Sequence, residues 1–191
     1  MEMKSFGNAE CHFGYRESIF KNEVKDQYII TSVIFKLTKR NHKINISYGD
    51  ITAELDKLNI KTPTLKDVSN AVITIRQSKL PDPKVLGNAG SFFKNPVISM
   101  SHYQALQSEF PDLPAYPIDE SSVKLPAGWL IEQCGWKGKT VGACGVHSLQ
   151  ALVLVNHGGA TGKEIYKLSE AIIETVFERF QVPLEREVNI Y

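Results

Sequence analysis

The spacing of apolar residues divides the chain into two stretches of different character. Asp26 to Thr38 (DQYIITSVIFKLT) is rich in β-branched and aromatic residues, which suit a pleated strand better than a helix. At period two, Ile29, Val33, Phe35 and Leu37 share one face and Tyr28, Ile30 and Ile34 the other. Both faces are apolar at the centre, so the pattern predicts a buried strand. Lys39 to Lys43 reads as a polar turn and Ile44 to Tyr48 as a short strand. Thr64 to Lys79 reads as a helix: Thr64 and Asp67 resemble a capping box, and Leu65, Val68, Val72 and Ile75 recur at helical spacing. Pro81-Asp82-Pro83 then removes two donors and fixes φ, which marks a boundary.

Beyond that boundary the pattern predicts three more helices, at Ser99 to Phe110, Pro126 to Cys134 and Thr161 to Phe180. Ser99 is an N-cap, Pro111 a stop, Pro126 lies near a first turn and Gly135 follows an end. Thr161 and Glu164 form a second capping box, and Ile165, Leu168, Ile172 and Val176 make an apolar stripe. Ala151 to Val155 (ALVLV) reads as a central strand. Strand, helix and strand in this order predict βαβ-like packing on a sheet.

Composition narrows the function classes. The chain has 191 residues, 42% of them hydrophobic and 23% charged, so a disordered chain is ruled out. Lys+Arg number 22 against 21 Asp+Glu, a net charge of +1. This removes the case for a general polyanion binder, and no nucleic-acid partner is expected. No apolar run approaches the ~18 residues of a membrane span, so no membrane partner is expected either. The N-terminus lacks the basic-then-apolar pattern of a signal peptide. Cys11, Cys134 and Cys144 fit reduced thiols, and a cytoplasmic location is expected.

Several familiar motifs fail. Gly138-Lys139-Thr140 resembles the end of a P-loop, but Gln133 stands where its first glycine belongs, and Gly162-Lys163 has His157 there. The five histidines show no metal-binding spacing, and no GxGxxG is present. What remains is Gly87 to Pro96 (GNAGSFFKNP). Gly87 and Gly90 permit positive φ and close approach of a ligand to the backbone, and such a turn aims N–H groups at an anion. Ser91, Lys94 and Asn95 add a hydroxyl, a charge and an amide, while Phe92 and Phe93 would anchor the turn. The plainer alternative is a glycine-rich turn leading into a strand.

Gly87 to Ile98 (GNAGSFFKNPVI) resembles the signature of the UDP-N-acetylenolpyruvoylglucosamine reductase family. Three further segments match in order: Phe13 to Lys21 (FGYRESIFK), Ala127 to Cys134 (AGWLIEQC) with Gly142 to Leu154 (GACGVHSLQALVL), and Val182 to Val188 (VPLEREV). The resemblance implies an α+β fold: the remainder of an FAD-binding domain over 1–83, a smaller α/β UDP-sugar domain over 84–182, and a C-terminal strand over 183–191 carrying Glu187. The family's glycine-rich pyrophosphate loop has no counterpart before Phe13. The chain is therefore expected to be a C-terminal portion of such an enzyme, holding FAD poorly by itself.

The implied chemistry is reduction of UDP-N-acetylglucosamine enolpyruvate to UDP-N-acetylmuramate, with electrons from NADPH by way of FAD, for peptidoglycan precursors. By resemblance Ser91 is the proton donor to the α-carbon, Arg16 pairs with the developing enolate, and Glu187 hydrogen-bonds the carboxylate or relays protons. The resemblance also assigns Tyr48, Lys79, Asn95, Tyr116, Lys124 and Gln150 to the UDP-sugar and Arg76 to the flavin. No metal is implied. The plainer readings are a serine capping its turn, surface arginine and lysines, and a solvated carboxylate on a strand edge. At the level of function, the alternative is an isolated UDP-sugar-binding module without flavin or catalysis.

Overall fold

The computed structural model describes residues 2–190. The chain forms two compact units, Met1–Lys43 and Ile44–Tyr191.

The first unit contains two short 3₁₀ turns, Ala9–Cys11 and Ile19–Lys21, which bury Cys11 and Ile19. Phe6, Phe20 and Tyr28 meet edge to face, at centroid distances of 5.1, 5.1 and 6.4 Å. The buried strand expected over Asp26 to Thr38 does not form. The segment joins no ladder among the described residues, and Ile29, Val33, Ile34, Phe35 and Leu37 are exposed. A strand needs a neighbour to bond its amides and carbonyls, and the first unit holds no strand among the described residues.

The second unit begins with a helix pair. Ile44 to Tyr48 is not a strand either. Its Ile46 packs on a small core of Ile51, Leu55 and Ala71, built by α1 (Ile51–Lys57) and α2 (Leu65–Lys79). The capping box of α2 is present: the Thr64 hydroxyl accepts from the Asp67 N–H, and the Asp67 carboxylate accepts from the Thr64 N–H at 2.8 Å. The Thr64 hydroxyl, which donates to the Asp67 carboxylate at 2.6 Å, and then the Thr64 N–H hold that carboxyl below its ordinary range. Pro81 to Pro83 leads into a turn over residues 83–85 within this unit, closed by the Val85 N–H on the Asp82 carbonyl at 2.9 Å.

Two antiparallel sheets follow. The larger has the order β1 (Gly87–Ser91), β7 (Val153–Asn156), β6 (Cys144–Val146), β5 (Thr140–Val141). The smaller has the order β2 (Val97–Ser99), β4 (Ser122–Lys124), β3 (Tyr116–Pro117). All of this pairing is antiparallel, where the element order predicted βαβ-like packing. The reason is connectivity. β6 and β7 are joined by a short loop, and such loops link antiparallel neighbours. Helices α3 (Met100–Glu109), α4 (Ala127–Gln133) and α5 (Gly162–Phe180) arise within a residue or two of where capping and spacing put them. α5 buries Leu168, Ile172, Val176 and Phe180, which join Phe93, Leu130, Ile131 and Val182 in the main core. No helix among the described residues is long and apolar enough to cross a membrane.

Candidate active site

The stretch from Ser91 to Pro96 is stitched to three other parts of the second unit. At its start, β1 pairs with β7 through Gly87 opposite Asn156, Asn88 opposite Val155, and Ser91 opposite Val153. β1 spends one more residue than β7 between Asn88 and Ser91, so the strand is bulged there. Gly90 sits in the bulge at φ 73°, a conformation glycine adopts without a Cβ penalty. Asn88 holds the bulge from inside. Its Oδ1 accepts from the Gly90 N–H at 3.0 Å, and its Nδ2 donates to the carbonyls of Leu86 and Pro81 at 2.8 and 3.2 Å. Bulges re-aim the side chain that follows them, and here that side chain is the exposed Ser91.

A Cβ built on Gly90 would meet nothing within 4 Å, so any cost of enlarging it lies in the backbone. Gly90→Ala is expected to lower stability by ~1 kcal/mol, the penalty for an L residue in that region. Thermal unfolding should show a fall in Tm of a few degrees, and an unchanged Tm would mean the bulge relaxes.

The second connection runs to the C-terminal segment. The Glu187 N–H donates to the Phe92 carbonyl at 2.8 Å, and the Lys94 N–H donates to the Glu185 carbonyl at 2.9 Å. Phe93 faces Arg186 in a single antiparallel bridge. Ser91 and Glu187, distant in sequence, thus lie one residue apart across this pairing. Phe93 and Phe92 are buried in the core below it, with centroids 5.3 Å apart. Glu185, the neighbouring carboxylate, is occupied by Lys94 Nζ at 2.8 Å.

The third connection runs to α4. Leu125 N–H donates to the Pro96 carbonyl, and Asn95 Oδ1 accepts from the Ala127 N–H, both at 2.9 Å. Asn95 therefore serves the first turn of α4, whose preceding Pro126 has no side chain that could cap it. The Gln150 Oε1 approaches the same turn, 3.4 Å from where a Cβ on Gly128 would stand. In the small sheet Tyr116 lies opposite Lys124, so phenol and ammonium extend from adjacent strands on one face.

Two residues sit with the helix pair. Lys79 Nζ is bonded to the Asp50 carboxylate, which holds the Asp50 carboxyl below its ordinary range. Tyr48, two residues before Asp50, is exposed. Arg76, one turn before the end of α2, lines a cleft of about 680 Å³ with Gln77, Leu80, Asp82, Pro83, Asn88, Ala89 and Gly90.

Arg16 lies in the first unit. Gly14 and Glu17 exchange backbone hydrogen bonds at 3.0 and 3.3 Å, which makes Tyr15 and Arg16 the two tip residues of a tight turn. Arg16 is exposed with φ 59°, and a non-glycine residue held in that region stores strain.

The remaining chemistry is quiet. Burial pushes the Cys134 and Cys144 thiols up, so neither is a ready thiolate. No group of three metal-binding side chains occurs among the described residues. Two supporting residues escaped the sequence reading. Asn88 carried a local signal, an asparagine two residues before a glycine. Asp50 carried none, because its partner is a helix away.

The fold and these placements define an α+β protein with a bulged sheet edge at Gly90 and Ser91, beside which the C-terminal segment is bonded. The chain belongs to the UDP-N-acetylenolpyruvoylglucosamine reductase family, whose C-terminal domain model matches residues 82–191. The UDP-N-acetylenolpyruvoylglucosamine reductase of Flavobacterium johnsoniae is 67% identical over 189 residues, covering 99% of this chain and 56% of the relative. That of Chromobacterium violaceum is 52% identical over 186 residues, 97% of this chain and 54% of its own. That of Pseudomonas aeruginosa is 49% identical over 189 residues, 99% of this chain and 55% of its own. The chain spans about half the length of the curated relatives it matches.

Proposed function

We propose that this chain carries the proton-delivering and substrate-binding half of an NADPH-dependent, FAD-mediated reduction of UDP-N-acetylglucosamine enolpyruvate to UDP-N-acetylmuramate. The observation that supports the reading is the seating of 185–187 on 92–94, in which Glu187 stands opposite Phe92, the residue that follows Ser91. Reduced FAD, when bound, would supply the hydride for the β-carbon of the enolpyruvyl group. The residues present fit part of that group. The cleft beside Gly90 has the volume of a ligand site, its floor is bare where Gly90 lacks a Cβ, and Arg76 offers a cation to an anionic edge.

The remaining steps belong to side chains. Ser91 holds the proton that the α-carbon of the substrate enolate takes up. A hydroxyl is a weak acid, but a carbanionic carbon is a strong base, and a bulge-fixed donor loses little entropy on reaction. Glu187 either steadies the substrate carboxylate or returns a proton to Ser91. To Arg16 falls the charge of the enolate, for which a planar guanidinium suits a carboxylate.

Tyr116 and Lys124, paired across strands, suit a diphosphate, the lysine as point charge and the phenol as donor. Tyr48 and Lys79 are assigned to the same UDP-sugar, with the Asp50 ion pair to be exchanged for phosphate. Asn95 and Gln150 would contribute their amides from the α4 turn. Anaerobic stopped-flow absorbance of a full-length, flavin-loaded family enzyme carrying this sequence tests the reading. NADPH should bleach the flavin, and UDP-N-acetylglucosamine enolpyruvate should restore its colour. Reduced flavin that stays bleached on adding substrate overturns it.

A further inference from the structure

Arg186 lies between the two glutamates of the terminal segment, and nothing in the proposed reaction uses it. Its side chain is nonetheless the most heavily engaged of the segment. Nε donates to Ser169 Oγ at 2.7 Å, and Nη2 donates to Glu170 Oε1 at 2.7 Å. The guanidinium also lies over the Tyr166 ring, 4.4 Å from its centroid. Tyr166, Ser169 and Glu170 stand at helical spacing on one face of α5. Ser169 is completely buried. Its hydroxyl donates to the Tyr166 carbonyl at 2.6 Å and accepts from Arg186, so the buried oxygen is satisfied on both sides. Arg186 in turn holds the Glu170 carboxyl below its ordinary range.

Other contacts also hold the terminal segment: Glu185 pairs with Lys94 at 2.8 Å, and Val182 and Leu184 are buried just before it. Two backbone hydrogen bonds and one bridge tie it to 92–94, and beyond Leu184 its side chains are half-buried or exposed. Extended chain places successive side chains on opposite sides. A residue locked onto α5 at 186 therefore dictates the side on which residue 187 emerges. A slip of one residue would present Arg186 where the carboxylate belongs. A lone surface ion pair would be too weak for this task. A hydrogen bond to a buried hydroxyl, a charge-assisted bond and a ring stack from one planar group are a different matter.

We propose that Arg186 is a positioning residue: clamped to Tyr166, Ser169 and Glu170 of α5, it sets the register and facing of the terminal segment and so the side on which the Glu187 carboxylate emerges. This rests on the reading that Glu187 takes part in the reaction. The clamp and its consequence are tested separately. In this chain, Arg186→Met keeps the aliphatic stem and removes the three polar contacts. Hydrogen exchange at the Lys94 and Glu187 amides should accelerate at least ~10-fold, with α5 and the sheets unchanged. Unchanged exchange overturns the clamp. Ser169→Ala should act in the same direction and less strongly. Arg186→Lys should rescue poorly, since an ammonium cannot stack and fork together.

In the flavin-loaded protein, Arg186→Met should slow recovery of flavin colour on adding substrate by ~10–100-fold, the scale of a misplaced group. Bleaching by NADPH should stay at the wild-type rate. In a Glu187→Gln background the same change should add almost nothing, because the two residues then act as one unit. If Glu187→Gln is slow while Arg186→Met is fast, positioning is refuted and the reading of Glu187 stands. If Glu187→Gln itself turns over at the wild-type rate, the reading of Glu187 fails, and the positioning role fails with it.

Discussion

In a full-length, flavin-loaded enzyme carrying this sequence, Ser91→Ala should leave reduction of flavin by NADPH intact and slow turnover of the enolpyruvyl substrate by ~10²–10⁴-fold, the usual size of a lost general acid. Only the step after hydride transfer needs a proton at the α-carbon, so the loss must be confined to the second half of the cycle. The local structure makes this a clean experiment. Ser91 is exposed at the last position of β1. Its backbone register is set by Asn88, Gly90 and Val153 and not by its own hydroxyl. Truncating it should therefore leave the bulge and the fold in place. Ser91→Cys should recover part of the rate, because a thiol is the stronger acid and occupies nearly the same space. Bleaching of the flavin band reports the first half, and its return on adding substrate reports the second. An alanine variant that bleaches slowly but regains colour at the wild-type rate would make Ser91 a turn residue and nothing more.

Phe93→Ala should cost ~3–5 kcal/mol of stability, the range for emptying a fully buried aromatic site. Phe93 is 1% exposed, among the largest fully buried side chains of the second unit. It packs with Phe92 and shares the main core with Leu130, Ile172, Phe180 and Val182. It is also the residue that bridges to Arg186. Its loss should therefore loosen the Ser91 edge and the terminal segment together. For a chain of this size ~1 kcal/mol corresponds to ~2–4 °C, so calorimetry should show Tm falling by ~10 °C. Val85→Ala, at a position 86% exposed, is the control and should change Tm by less than ~2 °C. Equal shifts in the two variants would mean that the core is not organised around Phe93.

Local signals were the ones legible from residue order. Both capping boxes, Thr64 with Asp67 and Thr161 with Glu164, form as their spacing requires. Each closes within one turn, and no distant residue has a vote in it. The helix that follows Ser99 forms for the same reason, whereas α4 takes its first-turn partner from the remote Asn95. The glycine turn is local too. A small residue was needed where the chain takes φ 73°, and Gly90 is there.

Asp26 to Thr38 shows the limit. Its period-two pattern specifies a strand and both its faces, but a strand exists only where another backbone arrives to bond it. Nothing in the residues themselves supplies that neighbour. The direction of the sheets, the pairing of Tyr116 with Lys124 and the union of Lys79 with Asp50 are long-range in the same sense.

The candidate site divides along this line. The types of its groups, a hydroxyl after a glycine turn and a carboxylate near the C-terminus, stood in the sequence, and family resemblance singled them out. Their meeting did not. The segments after Ser91 and around Glu187 meet because the buried Phe93, Val182 and Leu184 draw two remote stretches onto one core. Arg186 then locks the second of them to α5. Hydrogen bonds within a turn are encoded by adjacent residues, whereas packing of remote segments is decided by which apolar surfaces exclude water together. Only the folded chain shows which those are.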